Sequence, residues 1–292
     1  STALMATASS IAIVIPPSIA FVVYASITGI SIADMFMGGI VPGILMGLAL
    51  VIVVMIEARK NNIQSSQKRA SGKERWEAFK DAFWGLLMPV IILGGIFGGI
   101  FTATEAAAVS VIYALLISLF VYRDMSWKEI LPSMAEAGVS AAAIMILVGV
   151  SKSSSYVITT SGLPAAVLDL FANLTDNKYI ILLLVNLLFL VIGMLMEANA
   201  AVVMMTPILL PLLNAFGIDL LQFGIVMSFN LCIGLVTPPV GLCLLLCNQT
   251  GETRLSHSLK AMMPMLLISI IVLFLITYVS PLTTLLPSIM AG

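Results

Sequence analysis

The sequence predicts an all-α polytopic membrane protein with broken helices, a re-entrant helical hairpin and an inverted internal repeat. Three observations predict it. Of 292 residues, 61% are hydrophobic and 9% are charged, against about 25% charged in soluble domains, and the mean hydropathy is +1.16. Seven of the 13 Lys and Arg residues (Arg59, Lys60, Lys68, Arg69, Lys73, Arg75 and Lys80) lie in one short segment, which the positive-inside rule places in the cytoplasm. A shift of 222 residues superposes Pro16 and Pro17 on Pro238 and Pro239, Thr28 and Gly29 on Thr250 and Gly251, and Pro42 on Pro264. Apolar segments match by chance easily, whereas prolines and a Thr-Gly at fixed spacing do not.

The composition excludes a soluble domain carrying a single anchor. A net charge of −1 gives no handle for nucleic acid. Cys232, Cys243 and Cys247 share one apolar stretch, and His257 is the only histidine, so the cysteines read as small apolar helix residues rather than metal ligands. No Ser-His-Asp or HExxH constellation supports an intramembrane enzyme. The chain opens at Ser1, without Met or a signal-peptide pattern, and is expected to be a fragment.

From the basic loop the elements follow in order. "TASSIAIVIPPSIAFVVYASITG" (7–29) is one apolar helix broken at its centre. Residues 33–57 run inward, and 58–83 form the cytoplasmic basic loop and a surface helix. Residues 84–101 run out, "TATE" turns, and 105–122 run back to Arg123 and Lys128. "DMSWKEILPSMAEAG" is amphipathic and is expected along the inner surface, followed by an outward span, 139–158, and a short amphipathic piece from Pro164 to Leu174. Residues 179–213 are apolar except for "EANA" at 197–200. Each side falls short of the ~20 residues of a comfortable span, so a hairpin that dips in from outside fits better than two crossings. Residues 219–249 run inward with a break at "TPPVG", 256–279 run out, and the uncharged tail "SPLTTLLPSIMAG" suits an external C-terminus.

Because 33–57 ends inside and its mate 256–279 ends outside, the copies are inverted, as is widespread among secondary transporters. Residues 1–57 then close a first repeat, and 84–292 form the second: scaffold helices 84–138, transport helices and hairpin 139–250, last helix 256–279. The hairpin's partner would fall before Ser1, so roughly 130–140 further residues are expected upstream.

Irregular backbone at membrane depth is tolerated only inside protein or against a wet cavity. Pro-Pro removes two donors and frees carbonyls of the preceding turn. Freed carbonyls are hard oxygen ligands for Na+, and the half-helix that follows points its positive end at the same place. One Na+ site per repeat is expected. The first draws on Ser9, Ser10 and Pro16, with Thr7 nearby. The second draws on Glu197, Ala198, Asn199, Thr237, Pro238 and Gly241. Pro17 and Pro239 complete the breaks. The alternative is that each Pro-Pro is only a kink.

Glu105 reads as part of an N-cap by Thr102 or Thr104, or else as a transport residue. Glu197 is functional by default at its depth, or else bonds the second arm of the hairpin. Lys152 either snorkels outward or faces an anionic substrate with Ser151, Ser153 and Ser154, to which Asn230 adds an amide. "GGIFGG" (94–99) reads as close helix packing.

"GGIFTATEAAAVSVIYALLISLFVYR", with Ala103 where the family pattern has Pro, resembles the signature of the large membrane subunit of TRAP transporters, the DctM type. "GIVPG" (39–43), "MEANAAVVMMTPILLPLL" and "FGIVMSFNLCIGLVTPPVGLCL" resemble its later segments. The resemblance covers nearly the whole chain. It implies an elevator-type, Na+-driven importer of organic acids, often sialic acid or C4-dicarboxylates, in the bacterial inner membrane. It also implies a small four-helix membrane subunit (DctQ-type) and a periplasmic substrate-binding protein (DctP-type) as partners. The alternatives are another cation- or proton-coupled transporter, or a channel or scaffold subunit.

Overall fold

A computed structural model describes residues 2–61, 70–239, 241–251 and 255–290. Every regular element among them is helical. The basic residues Lys68 and Arg69 lie outside the described residues. Contacts divide the chain into two units, Ser1–Asn61 with Val148–Gly292, and Asn62–Leu147. Among the described residues, seven helices are long and apolar enough to cross a membrane, both arms of the expected hairpin included: Ile32–Lys60, Gly72–Phe97, Ala103–Tyr122, Trp127–Val150, Lys178–Leu195, Ala198–Ala215 and His257–Tyr278.

In the smaller unit, α4 (Gly72–Phe97) and α5 (Ala103–Leu116) form an antiparallel pair. Each opens with a capping box, Ser71 with Glu74 and Thr102 with Glu105. Such a box satisfies two of the donors that a helix start leaves free. α5 continues as a π-helix, Ile117–Tyr122, whose last side chain reaches back to α4. The Tyr122 hydroxyl donates to Asp81 O at 2.6 Å and accepts from Gly85 N at 3.2 Å. α4 begins at Gly72, well before the apolar residues start at 84, because the Ser71 cap and helix formers carry the helix through the charged segment.

α6 (Trp127–Thr160) is a single helix. The expected surface segment and the span 139–158 are therefore continuous. Pro132 stands in the second turn, where it removes one ladder bond, and the Ala- and Glu-rich residues that follow favour helix strongly. The tail folds as α13 (Pro281–Met290), with Pro281 at its first position and Thr283 and Pro287 buried.

The larger unit holds the broken helices and the hairpin. They are α1 (Thr2–Ser10), α2 (Ile19–Thr28), α3 (Ile32–Lys60), α7 (Leu163–Leu174), α8 (Lys178–Leu195), α9 (Ala198–Ala215), α10 (Leu220–Gly234), α11 (Leu242–Thr250) and α12 (Leu255–Tyr278). α10 is its centre. Every residue from Gln222 to Gly234 is buried, and α10 packs on α2, α3, α8, α9, α12 and α13. A helix apolar all round has this fate. In the 222-residue register, α1 corresponds to the end of α10, α2 to α11 and α3 to α12. The packing follows the exchange: α1 packs on α11 as α2 packs on α10, α1 on α12 as α10 on α3, and α3 on α12 itself.

Missing side chains permit the closest approaches. A Cβ on Gly39 would meet the Phe21 ring and lie 3.1 Å from Val14 O, and one on Gly224 would strike the Tyr24 ring. Tyr24 itself is fully buried and donates to Leu220 O at 2.8 Å. Gly193 of α8 and Gly234 of α10 touch backbone to backbone; a Cβ on Gly234 would fall within the Gly193 backbone. Gly234→Ala should therefore destabilise the fold by about 1–3 kcal/mol through overpacking. A thermal melt of the detergent-solubilised protein checks it, and an unchanged midpoint contradicts the contact.

Candidate functional site: the helix breaks and the hairpin tip

At the first break, α1 tightens into a 3₁₀ turn, Ile11–Ile13. Val14 N and Ile15 N both donate to Ile11 O, at 2.8 and 3.0 Å. Pro16 and Pro17 then contribute no donors, and Ser18 donates its hydroxyl back to Ile13 O. Pro16 is buried and Pro17 exposed. The Thr7, Ser9 and Ser10 hydroxyls donate to Ala3 O, Ala6 O and Thr7 O at 2.8, 3.0 and 2.9 Å. Their protons thus point into their own helix, and their oxygen lone pairs remain as acceptors.

The second break is built alike. Val236 N donates to Ile233 O, Thr237 N to Gly234 O, and the Thr237 hydroxyl to Ile233 O at 2.6 Å. Cys243 N reaches across the break to Leu235 O at 3.1 Å. Gly241 is left-handed, with φ +52°, and a Cβ there would lie 3.3 Å from Thr237 O; only glycine takes this position without strain. Val240 lies outside the described residues. Both Pro-Pro bonds, Pro16-Pro17 and Pro238-Pro239, are cis.

At the hairpin tip, Glu197 is the N-cap of α9. Its carboxylate accepts from Ala200 N at 2.9 Å and from Asn199 Nδ2 at 2.8 Å. One acid therefore both caps the second arm and orients its neighbour's amide. Ala198 between them is buried. The Gly193–Gly234 contact lies two residues before the end of α8 and at the last residue of α10, so the two helices touch just before the tip and the second break. Among the described residues no three His, Cys, Asp or Glu side chains gather; the oxygens here belong to carbonyls, hydroxyls, amides and the single Glu197 carboxylate.

The two broken helices also meet. Cys232 donates its thiol to Ser10 Oγ at 3.5 Å, across a sequence separation of 222. Each is the other's counterpart in the repeat register.

The remaining expected residues fall elsewhere. Asn230 is fully buried, and its Nδ2 donates to Asn186 Oδ1 at 2.7 Å and Val226 O at 2.9 Å. The side chains of Lys152 and Ser151 lie outside the described residues. The Ser153 and Ser154 hydroxyls donate to Gly149 O and Val150 O within α6. Glu105 Oε2 accepts from Thr102 N at 2.8 Å and Thr102 Oγ1 at 2.9 Å. Sequence reasoning passed over Asn186, Gly193 and Gly234. A lone Asn within "YIILLLVNLLFLVIGML" was the available signal for the first.

The family model for the tripartite ATP-independent periplasmic transporter, DctM component, matches residues 1–282. The chain belongs to this family. It is 39% identical over 279 residues to an isethionate TRAP transporter permease protein, DctMQ, of Oleidesulfovibrio alaskensis, covering 96% of this chain and 44% of that protein. It is 37% identical to the C4-dicarboxylate TRAP transporter large permease protein DctM of Pseudomonas aeruginosa, over 98% of this chain and 66% of the relative. It is 34% identical to the sialic acid TRAP transporter large permease protein SiaM of Vibrio cholerae, over 95% and 65%. The chain thus spans from under half to about two-thirds of the length of these relatives. DctM proteins are transport proteins rather than enzymes, and with seven apolar helices this one is a multi-pass protein of the inner membrane.

The contact between the breaks is testable chemically. With Cys243 and Cys247 replaced by Ala, Ser10→Cys should cross-link to Cys232 on mild oxidation, because 3.5 Å closes to the ~2 Å of a disulfide with little movement. Thiol counting with a maleimide-polymer reagent on the unfolded chain reads the result. Two reactive thiols after oxidation would contradict the arrangement.

Proposed function

We propose that this DctM chain is part of the large membrane subunit of a Na+-coupled TRAP transporter that imports a small organic acid. The single observation that carries the reading is the backbone contact of Gly193 with Gly234, which joins α8 to α10 shortly before the hairpin tip and the second break. On this reading Glu197, Ala198 and Asn199 form one Na+ site with Thr237, Pro238 and Gly241. Ser9, Ser10 and Pro16 supply half of the other, whose hairpin would be the first repeat's own counterpart of 179–213. The exchange packing of α1 with α11 and α2 with α10 supports an inverted repeat. Residues 1–57 close the first repeat and 84–292 form the second.

The relatives act on isethionate, C4-dicarboxylates and sialic acid, all organic anions. An organic acid of the sialic acid or C4-dicarboxylate type is the substrate class, met by the positive starts of α2 and α11 and by Lys152 with Ser151, Ser153 and Ser154. The fused name DctMQ of one relative supports a small DctQ-type subunit as partner, and a DctP-type periplasmic protein would deliver the substrate. Transport proceeds by an elevator movement of hairpin and broken helices (139–250 with 1–29) against a scaffold, 84–138. The loop 59–80 is cytoplasmic and the tail periplasmic.

Uptake into proteoliposomes by the complete complex, with its cognate binding protein, should require an inward Na+ gradient. Full uptake driven by ATP or a pH gradient alone overturns the coupling. Glu197→Ala and Asn199→Ala should each raise the Na+ concentration for half-maximal uptake about tenfold, as expected when an interaction with a charged group worth about 1.5 kcal/mol is lost. Unchanged values in both remove this site. Lys152→Met should raise the substrate concentration needed for half-maximal uptake, and no change assigns Lys152 to the interface.

A further inference from the structure

The core of the larger unit contains a polar column that the ion site does not use. Ser280 Oγ donates to Gln222 Oε1 at 2.9 Å, and Gln222 Nε2 donates to Ile276 O and Thr277 O at 3.2 and 2.8 Å. Deeper, Asn186 Nδ2 of α8 donates to Thr277 Oγ1 of α12 at 3.0 Å, and Asn230 Nδ2 of α10 donates to Asn186 Oδ1 at 2.7 Å. Asn186, Asn230 and Thr277 are at most 2% exposed. Asn230 Oδ1 has no hydrogen-bond partner.

We infer that Asn186 and Asn230 are positioning residues: their amide pair fixes the axial register of α8 against α10 and so sets where the hairpin tip stands relative to the second break. Stability does not account for the pair. Interhelical hydrogen bonds in membranes average about 0.6 kcal/mol, whereas an unsatisfied buried acceptor such as Asn230 Oδ1 costs about 1–3 kcal/mol. Apolar residues of similar volume would not carry that penalty. Buried polar pairs that cost stability are best attested as register devices, as with a single Asn in a coiled-coil seam.

The geometry fits that role. Asn186 pairs with Asn230, and farther along both helices Gly193 meets Gly234. The two contacts advance together, so α8 and α10 run in the same direction. A glycine-to-glycine contact is smooth and tolerates sliding. The amide pair does not: a slip of one turn, about 5.4 Å, strands both amides in apolar surroundings. Thr277 anchors the pair to a third helix, its own hydroxyl donating to Leu273 O at 2.8 Å. The device belongs to one half only, because Asn230 and Thr277 correspond to Ala8 and Met55 in the 222-residue register.

The register does not depend on the proposed Na+ coupling; its consequence for ion affinity does. The test uses the membrane complex in nanodiscs, with native cysteines replaced and spin labels at the exposed positions Leu195 and Leu246. Pulsed electron–electron resonance should give one narrow distance in the parent. The double variant N186L/N230L should fold but give a broadened distance or one shifted by about a turn of 5.4 Å. Its half-saturating Na+ should rise about fivefold or more, the low end of site-to-site coupling. A parent-like distance in the double variant overturns the inference. A displaced distance with parent-like Na+ affinity upholds the register role and overturns the Na+ site at the tip instead. If the double variant does not fold, the near-isosteric Thr277→Val, which unanchors Asn186, must broaden the distance, and a parent-like distribution there equally overturns the inference.

Discussion

Hydrocarbon offers a peptide group no partner, so every carbonyl and amide at membrane depth must be paired within the protein or face a polar cavity. Two Pro-Pro steps put this protein in direct conflict with that constraint, and much of the larger unit can be understood as its local resolution. Ser18 sends its hydroxyl back to Ile13 O, Thr237 sends its hydroxyl to Ile233 O, and Cys243 N crosses its break to Leu235 O. These bonds quiet the carbonyls nearest the helix ends. Around them α10 is packed by six other helices, which keep lipid away from its own backbone.

Keeping lipid out requires close approach, and side chains are omitted where the approach is closest. Gly39 lets Phe21 and the Val14 carbonyl come against α3, Gly224 admits the Tyr24 ring, and Gly193 and Gly234 bring α8 onto α10. The Tyr24 hydroxyl then donates to Leu220 O at the start of α10. In this way the packing that seals the breaks also aligns the elements around them. The contact of Ser10 with Cys232 joins the first broken helix to the second.

The sequence made the breaks legible because proline acts locally: it lacks a donor wherever it stands. Caps were legible for the same reason, and Thr102 with Glu105 needs only residues three apart. What depended on distant partners was not. Nothing within 127–160 reveals whether its amphipathic start bends away from the apolar part, and α13 is held by contacts to α3 that lie far off in sequence. Asn230 looked like a polar group available to a ligand, yet a residue at position 186 occupies its donor. Glu197 was legible as an acid that either is functional or bonds the second arm of the hairpin, as it does through Ala200 N; that it also holds the Asn199 amide was not.

The direction of the hydroxyl protons bears on what the breaks can attract. Ser9, Ser10 and Thr237 each donate to a carbonyl one turn back in their own helix. A hydroxyl held so presents lone pairs rather than a proton to its surroundings. Such a surface repels an anion and suits a cation, as do backbone carbonyls whose ladder partners have been removed by proline. The starts of α2 and α11, lying beyond the same breaks, present N–H groups instead, the end of a helix that favours negative charge. Each break therefore sets an acceptor surface against a donor surface within a few residues. On the proposed reading, a cation on the first surface lowers the cost of bringing a carboxylate to the second, so that coupling of ion to acid would follow from the polarity of a broken helix without requiring a direct contact between them.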